Sequence, residues 1–287
     1  MDLQEIYLKG KKKLLKSGIK SASFEAMCIL KFCFGVDRHE LIINPTQKLD
    51  EQAKLRFFDL ILQRANGRPL QYILEEWEFM GKNFKVGEGV LIPRDDTEIL
   101  VKTAIAHISS IKSPQILDLC AGSGIISIIL AINFPDANIT CLEISENAIY
   151  YLNKNIKLIL SDFYGKGSIQ VIKGDIFSEK TLHKFELFDL IVCNPPYIPS
   201  EDIKYLQKEV QNEPLIALDG GPDGLNFYRM LTKKWKSQIK FGGTLAVEVG
   251  KGQASNVAKL FEEADFKNIS IKKDLCGIDR VVTGKNE

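Results

Sequence analysis

The chain has 287 residues but only three histidines, His39, His107 and His183, and they are scattered. A zinc site needs several ligands at close spacing, and a histidine-centred triad needs partners around it, so neither chemistry has much material here and no metal site is expected. The six cysteines, Cys28, Cys33, Cys120, Cys141, Cys193 and Cys276, contain no C-x-x-C pair, and most sit in apolar runs. They read as reduced, mostly buried thiols, which makes a cytoplasmic location the expectation. A membrane-length hydrophobic run is missing too. The longest apolar stretch, Ile125 to Phe134, is interrupted by Ser127 and Asn133 and is too short to cross a bilayer. The opening residues, Met1 to Glu5, lack the pattern of a signal peptide. An excess of one charge is also absent: 38 lysines and arginines face 37 acidic residues, a net charge of +1. Proteins that hold nucleic acid through its phosphates usually carry a clear basic surplus, so no direct nucleic-acid partner is expected. There is no internal repeat, no low-complexity segment and no G-x-x-x-x-G-K-[ST] loop for a nucleoside triphosphate.

What is present fits one large domain and one small one, with 45% hydrophobic residues to fill their cores. Residues 1–75 read as short helices. Leu3, Ile6, Tyr7, Leu14, Leu15 and Ile19 recur at helical spacing; Ser23 is a candidate cap for a second helix, and Asp50 for a third that runs through Leu55, Phe58 and Leu62 to Gly67. Four lysines crowd Lys9 to Lys13, most simply a solvated helix face, with a partner-binding patch as the alternative. Residues 76–92 change character. Glu78 to Val86, followed by Val90-Leu91-Ile92, suggests a β-hairpin linker with glycine turns. Residues 93–287 then alternate strands with helices. Strands are expected at Ile116–Leu119, Ala137–Glu143, Ser168–Lys173, Leu187–Cys193, Thr244–Val249, Ile269–Lys273 and Arg280–Thr283. Helices are expected at Ile125–Asn133, Asn147–Ile159 behind the cap Ser145, and Gln253–Ala264. This alternation predicts an α/β fold of the Rossmann-like kind: a mainly parallel sheet, helices on both faces, and ligands outside the carboxyl ends of the strands.

Two segments carry chemistry at that edge. The first is Asp118-Leu119-Cys120-Ala121-Gly122-Ser123-Gly124, where a strand gives way to a helix. Small residues let the backbone turn tightly and approach a ligand. Glu143 ends the next strand, 19 residues after Gly124, where a carboxylate can accept both hydroxyl hydrogens of a ribose. A dinucleotide site would want G-x-G-x-x-G, and the third glycine is missing. The loop resembles instead the methyltransferase loop D-x-G-x-G-x-G, with Cys120 at the first glycine position. Cys120, Ala121, Gly122, Ser123, Gly124 and Glu143 are therefore the candidate cofactor contacts. Asp175 and Ile176 follow the third strand, where such folds often face an adenine; an ordinary exposed turn is the alternative for Asp175.

The second segment, Ile191-Val192-Cys193-Asn194-Pro195-Pro196-Tyr197, ends an apolar strand with an amide, two prolines and an aromatic ring. The prolines remove two N–H donors and fix the backbone, leaving the Pro195 carbonyl available to a ligand. An amide nitrogen is a weak nucleophile, because its lone pair is delocalised into the carbonyl. The Asn194 side-chain oxygen and the Pro195 carbonyl could each accept one of its N–H groups, and Tyr197 could stack on its flat face. Held that way, the lone pair points at a methyl donor, and alignment supplies much of the rate. Asn194, Pro195 and Tyr197 are the candidate catalytic residues; with Pro196 they form the candidate acceptor pocket, and Asn194 also faces the cofactor.

Further segments extend the likeness: Gly67-Arg68-Pro69-Leu70-Gln71-Tyr72-Ile73, Leu91-Ile92-Pro93-Arg94-Asp95-Asp96-Thr97-Glu98, Asn212-Glu213-Pro214, Ala217 to Leu225, Glu248-Val249-Gly250 and Asp279-Arg280. In their order and spacing they resemble the protein-(glutamine-N5) methyltransferases that modify peptide chain release factors. The resemblance implies S-adenosyl-L-methionine as cofactor, release factors as the protein partner, and methylation of the glutamine in their Gly-Gly-Gln loop. It also implies that the helical N-terminal domain helps dock the partner, and that Arg94 and Glu98 lie near the cofactor entrance; a salt bridge between the two is the alternative. A monomer is expected. Two other acceptors suit the same clamp: a ribosomal-protein glutamine, or the N6 amino group of a flipped adenine. The near-zero net charge and the Ile92-Pro93-Arg94 and Asn212-Glu213-Pro214 segments argue against the adenine.

Overall fold

The computed structural model describes residues 1–161, 165–182 and 185–287; His183 lies outside the described residues. The chain divides into two compact units, one of Met1–Glu76 with Gln207–Asn212, the other of Trp77–Leu206 and Glu213–Glu287.

The first unit is helical: α1 (Leu3–Lys16), α2 (Ala22–Phe34), α3 (Arg38–Ile43), α4 (Glu51–Ala65) and α5 (Leu70–Leu74). Asp2 starts α1 with a capping box, its carboxylate accepting the Glu5 N–H at 2.9 Å. Asp50 caps α4 through the Ala53 N–H, also at 2.9 Å. Ser23 does not cap α2, which already begins at Ala22. The preceding Ser21 turns its hydroxyl to Glu25 at 2.7 Å rather than to the backbone. Leu3, Ile6, Gly10 and Leu14 form the buried face of α1. A Cβ at Gly10 would lie 2.6 Å from the Phe57 ring, so the missing side chain is what lets α1 approach α4 this closely. On α4 the buried face is Lys54, Phe57, Leu60, Ile61 and Arg64, while Leu55 and Leu62 are exposed. Lys9, Lys12 and Lys13 are exposed, as a solvated face requires. Arg64, on the buried face, holds Glu25 of α2 and Glu209 of the returning segment Gln207–Asn212. The Asn212 side chain donates to the Gly67 carbonyl at 3.2 Å, tying the same segment down a second time.

The second unit begins with a two-stranded sheet, β1 (Glu76–Phe79) and β2 (Lys82–Lys85). The expected strand pairing stops there, because Val90-Leu91-Ile92 forms no strand. Then follow α6 (Thr97–Ile108), β3 (Gln115–Leu119), α7 (Ile125–Asn133), β4 (Asn138–Glu143), α8 (Glu146–Leu160), β5 (Ser168–Lys173), α9 (Glu179–Leu182), β6 (Phe188–Cys193), α10 (Lys208–Gln211, within the segment already described), α11 (Asn226–Lys233), β7 (Ile239–Glu248), α12 (Ala254–Glu263), β8 (Phe266–Lys273) and β9 (Asp279–Asn286). Seven strands form one sheet in the order β5-β4-β3-β6-β7-β9-β8. The first five run parallel, and β9 and β8 join antiparallel. This is the Rossmann-like α/β architecture. Strand residues alternate between two cores, as a period of two demands. Leu190, Val192 and Ala246 join the core against α6 and α7, whereas Ile191, Cys193 and Val247 join the one against α11 and α12. Among the described residues no helix is long and apolar enough to cross a membrane.

Register sets the order of residues along the carboxyl edge. Leu119 pairs with Leu142 on one side and Cys193 on the other, and Cys193 pairs with Val247. The residues that follow these pairs therefore stand side by side at the edge, in the sequence Glu143, Cys120, Asn194, Glu248.

Candidate active site

A cavity of about 270 Å³ opens at this edge. Its base is Cys120 to Ser123, Glu143 to Ser145 and Gly174 to Phe177, with Asn194 and Pro196 beside them. Its rim is Gly89 to Arg94, Thr97, Pro214, Ile216, Ala217 and Phe227. The lining is chiefly apolar with a few polar groups, the usual make-up of a small-molecule site. The Phe177 and Phe227 rings meet edge to face, 5.0 Å between centroids, and form one wall.

The loop after β3 is built for close approach. Cys120 sits at φ +59°, in the left-handed region, so this position does require the conformation that a glycine adopts freely. Gly124, at φ +84°, has no room for a side chain: a Cβ there would lie 2.2 Å from Leu152. Asn155 of α8, fully buried, donates to the Ser123 carbonyl at 2.9 Å and brackets Lys85 of β2 with two more hydrogen bonds. It pins the loop to the hairpin, a role the sequence did not disclose.

Glu143 is 7% exposed. Its Oε2 accepts the Gly122 N–H at 2.9 Å, and its Oε1 accepts the Ile144 and Ser145 N–H groups at 2.8 Å each. Two carboxylate oxygens offer about four acceptor positions, so capacity remains for a ligand hydroxyl. Beneath the loop, Asp118 accepts from the Ser127 backbone and hydroxyl through Oδ2, while its buried Oδ1 has no partner among the described residues. Burial pushes its carboxyl up to about 7.

On the other side of Cys120, Asn194 donates from Nδ2 to the Thr97 hydroxyl at 3.2 Å. With Nδ2 engaged by the protein, Oδ1 is left to accept. Pro195 is buried and Tyr197 half-buried, and neither lines the cavity that Asn194 and Pro196 line. Tyr197 is held by close backbone approach. A Cβ at Gly250 would lie 3.0 Å from its ring, and one at Gly220 only 2.7 Å from its Cα. Gln253 donates to the Tyr197 carbonyl at 2.8 Å and accepts the Gly250 N–H at 3.0 Å. Burial and the neighbouring Glu248 push the Tyr197 phenol up to about 12.

Arg94 and Glu98 do not pair with each other. Glu98 pairs with Lys102 one helical turn on, while Arg94 lines the rim and pairs with Glu213, which also accepts the Ile92 N–H at 3.0 Å. The preference has a geometric cause: Glu98 points along α6, whereas the buried Glu213 carboxylate needs donors and receives both from the Ile92-Pro93-Arg94 turn. That bond explains why Ile92-Pro93-Arg94 and Asn212-Glu213-Pro214 matter together. Thr97, Glu213 and Glu248 carried no role in the sequence reading. Glu248 had a usable signal, an acid closing the apolar run Leu245–Val247 at the edge where Glu143 and Asn194 also lie.

Comparison with known proteins settles the family. The PrmC N-terminal domain family matches residues 5–74 and the methyltransferase small domain family matches residues 95–212. A release factor glutamine methyltransferase of Clostridium botulinum is 38% identical over 99% of this chain and 99% of its own. The chain belongs to the release factor glutamine methyltransferases. A second member, from Clostridium acetobutylicum, is 36% identical over 98% of each chain. The fold extends beyond the family: a methyltransferase of Pyrococcus furiosus, 14% identical, superposes on 72% of this chain and 90% of its own with a TM-score of 0.51. Within the family frame, the glycines between Ala217 and Leu225 gain a physical reason, since Gly220 and Gly224 both lie against Tyr197.

Proposed function

We propose that this enzyme methylates the side-chain amide nitrogen (N5) of the glutamine in the Gly-Gly-Gln loop of peptide chain release factors, with S-adenosyl-L-methionine as donor. One observation carries the reading most of the way. In a chain of this family, strand register brings Glu143, Cys120 and Asn194 side by side around one cavity.

The residues present fit the cofactor. Glu143 keeps acceptor capacity for ribose hydroxyls, Gly122 and its neighbours allow close backbone approach, and Ile176 with the Phe177–Phe227 wall suits a flat ring. When bound, S-adenosyl-L-methionine supplies a methyl group made electrophilic by a sulfonium sulfur. The chain's task is to orient the acceptor. Asn194 Oδ1 accepts one N–H of the substrate amide, the Pro195 carbonyl accepts the other, and Tyr197 stacks against the amide plane. The phenol of Tyr197 stays neutral through the physiological range, so it serves as a surface and not as a base. The largely apolar lining limits water around the reacting groups, which strengthens the polar contacts inside. The helical unit helps dock the release factor, and the enzyme works as a monomer in the cytoplasm.

Purified release factor, incubated with the enzyme and labelled cofactor, should gain one methyl group on the Gly-Gly-Gln glutamine by mass spectrometry. Label confined to a ribosomal protein or to nucleic acid would overturn the reading.

A further inference from the structure

β7 closes with Glu248, an acid at the end of an apolar run. Cys193 pairs with Val247 in the sheet, so Asn194 and Glu248 follow side by side at its edge. Glu248 is 1% exposed, and its Oε2 has no hydrogen-bond partner among the described residues. The Thr97 hydroxyl, at the start of α6, and the Asn194 amide, just past β6, lie near enough to its carboxyl to favour its charge, and they bond to each other at 3.2 Å. Both of those residues line the cavity, and Glu248 does not. The Tyr228 hydroxyl donates to the Glu248 carbonyl at 2.8 Å and steadies the backbone from below. An apolar residue would be buried here at lower cost, so an acid with one unsatisfied oxygen needs an explanation other than packing.

We propose that Glu248 is a positioning residue: by accepting from the Asn194 amide it sets which way that amide faces, and its charge favours the positive charge that gathers on the acceptor nitrogen. The inference rests on the methyltransferase reading of the site. An Asn194 amide turned by half a rotation would present Nδ2–H to the substrate N–H, donor against donor. In the transfer, the acceptor nitrogen's lone pair forms the new N–C bond, while the electron pair of the broken bond to the methyl group returns to sulfur. Positive charge thus arrives on the nitrogen, whose N–H points at Asn194 Oδ1, and the proton then passes to water. An anion behind Asn194 polarises that amide and makes Oδ1 the better acceptor.

The groups facing Glu248 oppose one another. Asp96 disfavours its charge and Arg280 favours it, while Tyr197 stands nearby as a neutral phenol. Burial is the larger influence and pushes the carboxyl up to about 7. The charge is therefore present above neutrality and lost below it, and turnover should fall as pH falls through this value.

Glu248→Gln tests the idea, because glutamine keeps the size and an accepting oxygen but neither charge nor titration. The variant should melt as a folded protein, bind cofactor within about twofold of wild type, and lose about tenfold in kcat, with the inflection near pH 7 gone. Glu248→Asp, which keeps the charge at shorter reach, should lose kcat and retain an inflection. A readout that needs no acceptor is the side-chain amide resonance of Asn194. It should shift with an inflection near pH 7 in the wild type and stay constant in Glu248→Gln. An unchanged kcat and pH profile in Glu248→Gln, or an Asn194 resonance that does not titrate in the wild type, would overturn the proposal. Failure of the wild type to methylate release factor would refute the functional reading instead, and the resonance test would stand by itself.

Discussion

Two carboxylates sit at the same sheet edge, one strand beyond each arm of the site, and they are treated in opposite ways. Glu143 closes β4 and receives three backbone N–H groups. Glu248 closes β7, is as deeply buried, and keeps one oxygen without a partner among the described residues. On the Cys120–Gly124 side, the loop and the residues before α8 turn their donors inward, so the acid becomes the centre of a fixed polar cluster. On the Asn194–Tyr197 side the prolines have removed donors, and the remaining polar side chains, Thr97 and Asn194, bond to each other and line the cavity. The contrast shows how one edge can fix an acid in a closed polar cluster at one end and leave polar side chains open to the cavity at the other.

The contrast can be broken most severely at Asn194. Asn194→Ala should lower kcat by about a hundredfold or more, as loss of one positioned polar group does, while cofactor affinity by calorimetry falls much less. Turnover near normal would remove Asn194 from the acceptor site. Next in size, Glu143→Ala should weaken cofactor binding by about 1–3 kcal/mol, with a smaller effect on the chemistry of bound enzyme. Unchanged affinity would dissolve the distinction between the two ends.

Asp118→Asn sharpens the comparison through stability. The native carboxyl keeps its proton up to about 7, well above its ordinary 3.8, whereas the unfolded chain releases it near the ordinary value. Folded protein thus binds more protons between those limits, so stability falls as pH rises across that window and then levels off. Removing the group should flatten the decline in melting temperature between pH 5 and pH 7, with Glu248 accounting for what remains. An unaltered slope would show that Asp118 does not retain its proton. The smallest effect belongs to Cys120→Gly. Relief of the left-handed strain gains about 1 kcal/mol, and the greater freedom of an unfolded glycine offsets about half of it or more. A melting temperature within a few degrees of wild type, with unchanged cofactor affinity, is expected; a large rise would mean the strain is greater than the backbone alone explains.

Much of this was legible in the sequence, because the parallel strands are short apolar runs closed by turn residues. Ser168–Lys173 and Ile125–Asn133 fall where periodicity puts them, and Asp50 and Ser145 cap the helices that follow them. Ser23 failed as a cap because the hydroxyl that matters, on Ser21, is drawn to a side chain rather than to the backbone. Val90-Leu91-Ile92 has strand composition, yet Ile92 N–H goes to the Glu213 carboxylate instead of to a neighbouring strand. No local pattern reveals a partner 121 positions away. The alternative pairing of Arg94 with Glu98 failed for the same reason, although Arg94 does line the cavity. At the site, Glu143 and Asn194 were visible because an acid or amide ending an apolar strand stands out. Thr97 and Asn155 were not, since one polar residue on an amphipathic helix looks like any other until the helix is packed.

Gln207–Asn212 packs with the helices of the first unit, although the residues on either side, Leu206 and Glu213, belong to the second. The polypeptide therefore passes from one unit to the other three times, and no single cut yields two self-sufficient pieces. Deleting residues 1–76 would strip Glu209 of its buried guanidinium and leave six residues stranded in the remaining fragment. A permuted or interrupted gene would separate the parts only if this excursion travelled with the helices.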